Sequence, residues 1–124
     1  MKQVLVVDDS ATMRRMVMAS LQKLLKDVTV NFNEASNGLE AIERLVISPV
    51  NLMILDLNMP DMHGLEVLKF VRSHQTYCNI PIIVLTTRGD EANREAALKA
   101  GASRYITKPF EPQTFAAQAQ ELLN

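Results

Sequence analysis

Acidic residues follow two separate apolar runs of the chain, at the point where each run ends. Asp8 and Asp9 come directly after the run Val4–Val7, and Asp56 comes directly after the run Leu52–Leu55. Neighbouring carboxylates repel each other unless a cation lies between them or one of them takes up a proton. A site built from carboxylate and carbonyl oxygens favours Mg²⁺, which keeps several waters and commonly bridges to a phosphate. The pattern therefore predicts a Mg²⁺ site, with Mn²⁺ as an alternative ion, if the two runs lie side by side.

Two further reactive groups follow later predicted strands. Thr86 comes after the apolar run Ile80–Leu85, and Lys108 comes after the short predicted strand Arg104–Thr107. A hydroxyl, an ammonium group, a metal and one carboxylate nucleophile suit phosphoryl transfer, because that reaction mainly needs positioning and charge neutralisation. Each residue also has an ordinary structural interpretation: Asp9 as a helix cap, Thr86 as a β-branched strand residue and Lys108 as a surface lysine. Their shared position at the carboxyl ends of predicted strands favours the chemical interpretation.

The elements that must position these residues alternate along the chain. Short apolar runs typical of strands are separated by stretches in which apolar residues recur at helical spacing. The predicted strands are Val4–Val7, Val28–Phe32, Leu52–Leu55, Ile80–Leu85 and Arg104–Thr107. This alternation predicts an α/β fold, a doubly wound, five-stranded parallel sheet with helices on both faces and with Val28–Phe32 at an edge. Ligands of such folds bind beyond the carboxyl ends of the strands, where the aspartates lie.

Composition excludes several classes of function. The net charge is only -1, so there is no basic field to attract nucleic acid or an anionic membrane. The single cysteine, Cys78, excludes an internal disulfide and fits a reducing compartment. No apolar run approaches the length of a secretory signal or a membrane span. We therefore expect a cytoplasmic protein of one domain, with no nucleic-acid or membrane partner.

The remaining charged side chains have ordinary interpretations. The adjacent pair Arg14 and Arg15 is best explained as part of a solvated helix face, with a phosphate-binding or partner role as the less favoured alternative. His63 and His74 are interpreted as solvated loop residues, because neither has the carboxylate or cysteine neighbours of a metal site.

Four segments carry a resemblance to a known family. "VLVVDDSATMRRMV", "LMILDLNMPDMHGLEVL", "IPIIVLTT" and "AGASRYITKPF" resemble the response-regulator receiver family, most closely its single-domain members in chemotaxis. The likeness covers essentially the whole chain, in order and with matching spacing. It implies a flavodoxin-like (βα)5 fold with strand order 2-1-3-4-5, and one receiver domain over residues 1–124 with no output domain.

The resemblance also assigns roles at the site. Asp56 would accept a phosphoryl group from a phosphohistidine of a histidine kinase, while Thr86 and Lys108 would each contact a phosphoryl oxygen. The implied metal ligands are Asp8, Asp9, Asp56 and the main-chain carbonyl of Asn58. The Lys108–Pro109 peptide is expected to be cis, which only an X-Pro bond readily allows. Pro60 and Gly64 fit the family's loop after the acceptor strand.

A switch is implied as well. Thr86 would be drawn toward a phosphoryl group on Asp56, and Tyr105, the family's switch aromatic, would rotate into the space left behind. The remodelled face would bind a downstream protein; it comprises helix four, strand five and helix five, at Asp90–Ala100, Arg104–Thr107 and Pro112–Leu123. The alternative for Tyr105 is a half-buried tyrosine with a hydrated hydroxyl.

Two positions are expected to set how long the phosphoryl group survives. In this family they lie two residues beyond the acceptor and two beyond the threonine, at Asn58 and Arg88. A guanidinium there could pair with the phosphoryl group or hinder the attacking water.

The protein is expected to be a monomer, with dimerisation on phosphorylation as an alternative.

The predicted function is a phosphorylation-activated response regulator of a two-component system, acting in chemotaxis and catalysing only its own phosphoryl transfer and autodephosphorylation. One alternative is a phosphorelay intermediate that passes phosphate to a histidine phosphotransfer protein. Another is an aspartyl-phosphate phosphatase, which would require a D-x-D-x-T pattern after the first strand. This chain has "DDSAT" there, and it has Asn58 rather than Asp two residues after Asp56. A flavodoxin-like cofactor binder is disfavoured, because the chain has no Trp, only two Tyr, and an acidic crevice.

Overall fold

The computed structural model describes residues 1–59 and 62–124, and within these residues five strands and five helices alternate. The strands are β1 (Lys2–Val7), β2 (Val30–Ala35), β3 (Leu52–Leu55), β4 (Ile82–Thr86) and β5 (Arg104–Thr107). The helices are α1 (Ala11–Leu24), α2 (Gly38–Ile47), α3 (Gly64–Ser73), α4 (Glu91–Lys99) and α5 (Pro112–Leu123). Pro60, which the sequence places in the loop after β3, lies outside the described residues.

The five strands form one parallel sheet in the order β2-β1-β3-β4-β5, which confirms the predicted fold and the predicted edge position of β2. The chain first moves outward from β1 to β2 and then returns past β1 to β3. The order therefore reverses between β1 and β3, where Val7 is paired in register with Leu55. A crevice at the carboxyl ends of these two strands is the place where ligands bind in folds of this type.

The core lies in two layers, one on each face of the sheet. Alternate residues of a strand point to opposite faces, so Val4 and Val6 of β1 pack with α1 and α5, while Leu5 and Val7 pack with α2, α3 and α4. Phe115 of α5 is wholly buried in the first layer. The two layers make the sheet a rigid support for the residues at its carboxyl edge.

Side chains cap the starts of the helices that face this edge. Ser10 Oγ accepts a hydrogen bond from the Met13 N–H at 3.2 Å before α1, and Asp90 Oδ2 accepts one from the Asn93 N–H at 3.2 Å before α4. Such caps satisfy donors that have no partner inside the helix. At the far end of α4, Gly101 has φ +112°, a conformation that favours glycine, and it stops the helix as the sequence predicted.

Strands β4 and β1 begin at residues other than the predicted ones. β4 begins at Ile82 rather than Ile80, because Pro81 has no N–H to donate, although its carbonyl accepts from the Met53 N–H at 2.9 Å. β1 begins earlier, at Lys2, whose N–H donates to the Thr29 carbonyl at 2.8 Å. Neither difference moves a residue at the carboxyl edge.

The edge strand β2 lies slightly later in the chain than predicted. It spans Val30–Ala35 rather than Val28–Phe32, because it pairs with the whole of β1. Lys2 lies opposite Val30 at one end of this pairing, and Val7 lies opposite Ala35 at the other. The alternation of apolar and polar residues located the strand, but its bounds are determined by the length of its partner.

Within residues 1–59 and 62–124, no helix combines the length and the apolar character that a membrane span requires.

Candidate functional site

Asp8 and Asp56 lie side by side at the carboxyl ends of neighbouring strands. The Asp56 N–H donates to the Val7 carbonyl at 3.0 Å, which continues the pairing of β1 with β3 by one residue. Both side chains are buried, with 4% of Asp8 and 5% of Asp56 exposed, whereas Asp9 is exposed. Carboxylate oxygens of all three residues lie within 4.8 Å of one another. The structure therefore brings the three predicted carboxylates into one cluster.

Lys108 supplies a positive charge to this cluster. Its main-chain N–H donates to the Thr86 carbonyl at 2.8 Å, and its peptide bond to Pro109 is cis, as the resemblance predicted. The ammonium Nζ lies 2.7 Å from Asp8 Oδ2 and 3.7 Å from Asp56 Oδ2. Three carboxylates and one ammonium leave an excess of negative charge, and their oxygens are the ligands that hard divalent cations prefer. The donor set thus fits a divalent metal ion.

The carboxyl of Asp56 is less acidic than an ordinary aspartate. Burial is the largest influence and raises its pKa, while the Lys108 charge and the hydrogen bond from the Asn58 N–H, at 3.2 Å from Oδ1, lower it. The balance favours a raised pKa because the buried carboxylate has lost much of its hydration. A nucleophile that is poorly hydrated and held beside a cation is suited to attack on phosphorus.

Thr86, Arg88, Asn58 and Tyr105 form a connected group at the rim of the cluster. Thr86 is wholly buried, and its Oγ1 accepts a hydrogen bond from the Arg88 N–H at 3.3 Å. The Arg88 guanidinium donates from Nη2 to Asn58 Oδ1 at 3.2 Å, and the Tyr105 hydroxyl donates to the Arg88 carbonyl. The hydroxyl of the half-buried Tyr105 therefore bonds to the main chain of the loop between β4 and α4.

Gly64, at the start of α3, allows the chain to pass close behind Asp56. A Cβ atom at this position would lie 2.2 Å from the Asp56 carbonyl oxygen and 2.5 Å from Leu57 Cα. Those distances are shorter than any real contact, so only glycine fits without a shift of the main chain. The glycine that the resemblance assigned to this loop therefore has a steric role next to the acceptor strand.

The prediction of a solvated helix face is wrong for Arg14. Its Nη1 donates to the Asp8 carbonyl at 2.6 Å and its Nε to Glu34 Oε1 at 2.8 Å, leaving 15% of the side chain exposed. Arg15 is exposed, as predicted. Arg14 reaches inward because it lies in the first turn of α1, over the end of β2. Its contact with Glu34 spans 20 residues, and no local pattern in the sequence indicates it.

The two histidines differ from each other. His63 is exposed, directly before α3, and makes no side-chain cap. The prediction of a solvated loop residue is wrong for His74, which follows the end of α3 and is half-buried. Its ring stacks on Tyr77 with centroids 4.5 Å apart, and its Nδ1 accepts from the Thr76 N–H at 3.2 Å. His74 thus stabilises the turn before β4 and takes no part in the acidic cluster.

A doubly wound parallel sheet with carboxylates and a lysine at its switch point is the arrangement that the resemblance to the receiver family implied. The chain matches the family described as the response regulator receiver domain over residues 4–120, and it belongs to that family. A receiver domain of this kind implies a histidine kinase and a downstream target in general terms.

Curated relatives and solved structures agree with this assignment. The chain is 43% identical over 122 residues to a chemotaxis protein CheY homolog of Campylobacter jejuni, covering 98% of this chain and 92% of the relative. A structure of the Vibrio cholerae chemotaxis protein CheY4 superposes with a TM-score of 0.87 at 35% identity, covering 99% of each chain. The Mn²⁺-bound form of response regulator Rcp1 superposes with a TM-score of 0.82 at 29% identity, covering 98% of this chain and 91% of Rcp1.

Proposed function

We propose that this protein is a phosphorylation-activated response regulator of a two-component system, and that Asp56 accepts the phosphoryl group from a phosphohistidine of a histidine kinase. One observation carries the proposal. A buried carboxylate lies at the switch point of the sheet, with an ammonium group 3.7 Å from its Oδ2 and two further carboxylates beside it. This arrangement offers a nucleophile together with charges that can bind and orient a phosphate.

The reaction would proceed by direct displacement at phosphorus. A carboxylate oxygen of Asp56 forms the new O–P bond while the N–P bond of the phosphohistidine breaks, and the electron pair of that bond returns to the imidazole nitrogen. Lys108 is placed to pair with a phosphoryl oxygen, and the Thr86 hydroxyl can bond another. The signal ends when water attacks the aspartyl phosphate, and we propose that these two steps are the only chemistry the protein catalyses.

We propose Mg²⁺ as the physiological ion, bound by Asp8, Asp9, Asp56 and the main-chain carbonyl of Asn58. When bound, Mg²⁺ would offset the negative charge that the phosphoryl group adds to the acidic cluster. Mn²⁺ is the alternative, and the Mn²⁺-bound state of the structural relative Rcp1 supports binding of a divalent ion at a site of this type. Lys108 would then share Asp8 with the metal or turn toward Asp56, both of which lie within its reach.

The output would be a protein-binding face made of α4, β5 and α5. Tyr105 connects this face to the site, since its hydroxyl bonds to the Arg88 carbonyl, and Arg88 bonds to Thr86 and Asn58. We propose that movement of Thr86 toward the phosphoryl group releases Tyr105 from this bond. The names of the curated relatives support chemotaxis as the process, and we propose a cytoplasmic monomer as the acting form.

The proposal is tested by intact mass spectrometry after incubation with acetyl phosphate and Mg²⁺. We expect the parent protein to gain the mass of one phosphoryl group, and we expect no gain for Asp56→Asn or for the parent in EDTA. Thr87→Ala is the matched control for loss of a hydroxyl near the site, because Thr87 is the exposed neighbour of Thr86. This control should gain the same mass as the parent.

Two results would contradict the proposal. A phosphoryl adduct on Asp56→Asn would place the acceptor elsewhere, and the absence of an adduct with both acetyl phosphate and a phosphorylated histidine kinase would exclude a working receiver. For the switch, Thr86→Ala should still form the adduct, while the Tyr105 ring signals in NMR should no longer shift on phosphorylation. A Tyr105 shift equal to that of the parent would refute the coupling through Thr86.

A further inference from the structure

We infer that Arg14 is a positioning residue for the metal site, and that it acts by holding the peptide that joins Asp8 to Asp9. This inference rests on the proposed metal site and extends it to a residue outside the predicted ligand set. Arg14 Nη1 donates to the Asp8 carbonyl at 2.6 Å, and the other side of the guanidinium, Nε, donates to Glu34 Oε1 at 2.8 Å. Arg14 thus connects the acidic pair to the end of β2.

Asp8 is fixed at every other polar position. Its N–H donates to the Ala35 carbonyl at 3.0 Å, its Oδ1 accepts from the Ser10 N–H at 2.9 Å, and its Oδ2 pairs with Lys108 at 2.7 Å. The main-chain carbonyl is the remaining acceptor, and Arg14 occupies it. The guanidinium therefore helps to fix the orientation of the peptide plane after Asp8, together with the Ser10 N–H.

That peptide plane matters because it carries Asp9. Asp9 is exposed, in contrast to Asp8 and Asp56, so packing does little to restrict its side chain. Its carboxylate nevertheless lies within 4.8 Å of the other two. If the plane could rotate, the Asp9 carboxylate would spend less time facing the cluster, and the site would have to order it at the expense of binding affinity.

Glu34 gives Arg14 its direction and balances its charge. Glu34 lies in β2, and its main-chain carbonyl accepts from Arg44 Nε of α2 at 3.2 Å, so its backbone is itself anchored. The ion pair between Arg14 and Glu34 is neutral overall. Arg14 can consequently lie near a cation site without the full repulsion of an isolated positive charge.

Positioning and charge repulsion predict different metal affinities when Arg14 is changed. Arg14→Lys keeps the charge, but one ammonium nitrogen cannot reproduce two diverging N–H bonds from a planar guanidinium. The double variant Arg14→Met with Glu34→Gln removes both charges together. If Arg14 acts by positioning, both variants should bind metal more weakly; if it acts only by repulsion, Arg14→Lys should bind as the parent does.

The experiment is a Mn²⁺ titration followed by electron paramagnetic resonance, which measures the free ion directly, with Mg²⁺ competition to obtain the affinity for that ion. We expect both variants to bind roughly tenfold more weakly than the parent, at the lower end of the range for residues that orient metal ligands. Arg15→Met is the matched control, because Arg15 is the exposed neighbour on the same helix, and it should leave the affinity unchanged.

The outcomes separate this inference from the proposed function. If the parent binds Mn²⁺ and both variants bind it equally well, the role of Arg14 is refuted and the metal site stands. If the parent binds no Mn²⁺, both ideas fail. If the double variant does not fold, Arg14→Lys alone tests the role of Arg14. A metal affinity of Arg14→Lys equal to that of the parent would then refute the positioning role.

Discussion

Replacement of Asp56 by Asn should stabilise the metal-free protein. The charges around Asp56 nearly cancel. At an effective dielectric constant of about 20, repulsion by Asp8, whose carboxylate lies within 4.8 Å, costs about 3.5 kcal/mol or more, while attraction to Lys108 at 3.7 Å gains about 4.5 kcal/mol. Asp9 is exposed, so solvent screens its repulsion. The sign of the effect is therefore decided by the cost of burying the Asp56 carboxylate, which is 5% exposed.

The amide removes this cost without leaving a charge unpaired. Lys108 should keep its contact with Asp8, at 2.7 Å in the parent, so the substitution does not leave Lys108 as an isolated buried cation. We expect the free energy of unfolding to rise by about 2 kcal/mol in EDTA near neutral pH, within the range of about 1–4 kcal/mol gained when buried ion pairs are replaced by uncharged residues of similar volume. Urea denaturation should show this as a midpoint about 1 M higher.

The pH dependence provides a second test of the same reasoning. Burial raises the pKa of Asp56 in the folded protein above its value in the unfolded chain. The folded parent therefore binds more protons than the unfolded chain between these two pKa values, and it loses stability as the pH rises through them. The advantage of Asp56→Asn should be complete above the folded pKa and should shrink as the pH falls toward the unfolded value.

Two controls complete the experiment. Glu43→Gln removes one negative charge from an exposed position of α2 and should change the midpoint little. Added Mg²⁺ should stabilise the parent more than Asp56→Asn, because only the parent retains the full set of predicted ligands. Equal stability of parent and Asp56→Asn in EDTA, or an advantage that does not vary with pH, would show that burial of the carboxylate is not the dominant effect.

Three further substitutions test the neighbours of Asp56. Lys108→Met should destabilise the metal-free protein by about 3 kcal/mol, because it leaves two buried carboxylates without their cation, and Mg²⁺ should recover part of the loss in urea denaturation. Gly64→Ala should lower stability by about 2 kcal/mol or more and slow phosphorylation by acetyl phosphate, because its Cβ would lie 2.2 Å from the Asp56 carbonyl oxygen. An unfolding midpoint equal to that of the parent would contradict this steric argument. Arg88→Ala should shorten the lifetime of the phosphoryl adduct several-fold, measured by mass spectrometry after removal of the donor. Arg94→Ala, on the exposed side of α4, is the control and should not change this lifetime. If the adduct of Arg88→Ala decays at the same rate as that of the parent, Arg88 does not control the lifetime.

The fold could be predicted from the sequence because the relevant signals are local. Four-residue apolar runs such as Leu52–Leu55 and the helical spacing between them identify a parallel α/β sheet. Once β1 and β3 are neighbours, the positions of Asp8 and Asp56 directly after them force these residues together. The family resemblance implied this adjacency of β1 and β3, and the cluster at the carboxyl edge follows from it.

The contacts that the sequence did not indicate depend on the reach of long side chains. Arg14 meets Glu34 across 20 residues, and Arg72 donates to the Gly101 and Ile80 carbonyls at 2.9 and 2.6 Å, linking α3 to the loops that precede β5 and β4. The bond from Arg88 to Asn58 spans 30 residues. The sequence around an arginine on a helix or loop is the same whether its side chain is solvated or directed inward. Only the three-dimensional arrangement therefore distinguishes these two cases.

The hydrogen bonds around Asp56 differ in length and in their exposure to water. The bond between Lys108 and Asp8 is short, at 2.7 Å, and buried, whereas Thr86 to Arg88 and Arg88 to Asn58 are longer, at 3.3 and 3.2 Å. Short charged bonds are roughly twice as strong as neutral ones, and the bond of Arg88 to Asn58 is open to water. A phosphoryl group on Asp56 would therefore compete more readily for Thr86 and Arg88 than for the Lys108 pair. The acceptor geometry can remain fixed while the rim, and Tyr105 with it, changes partners.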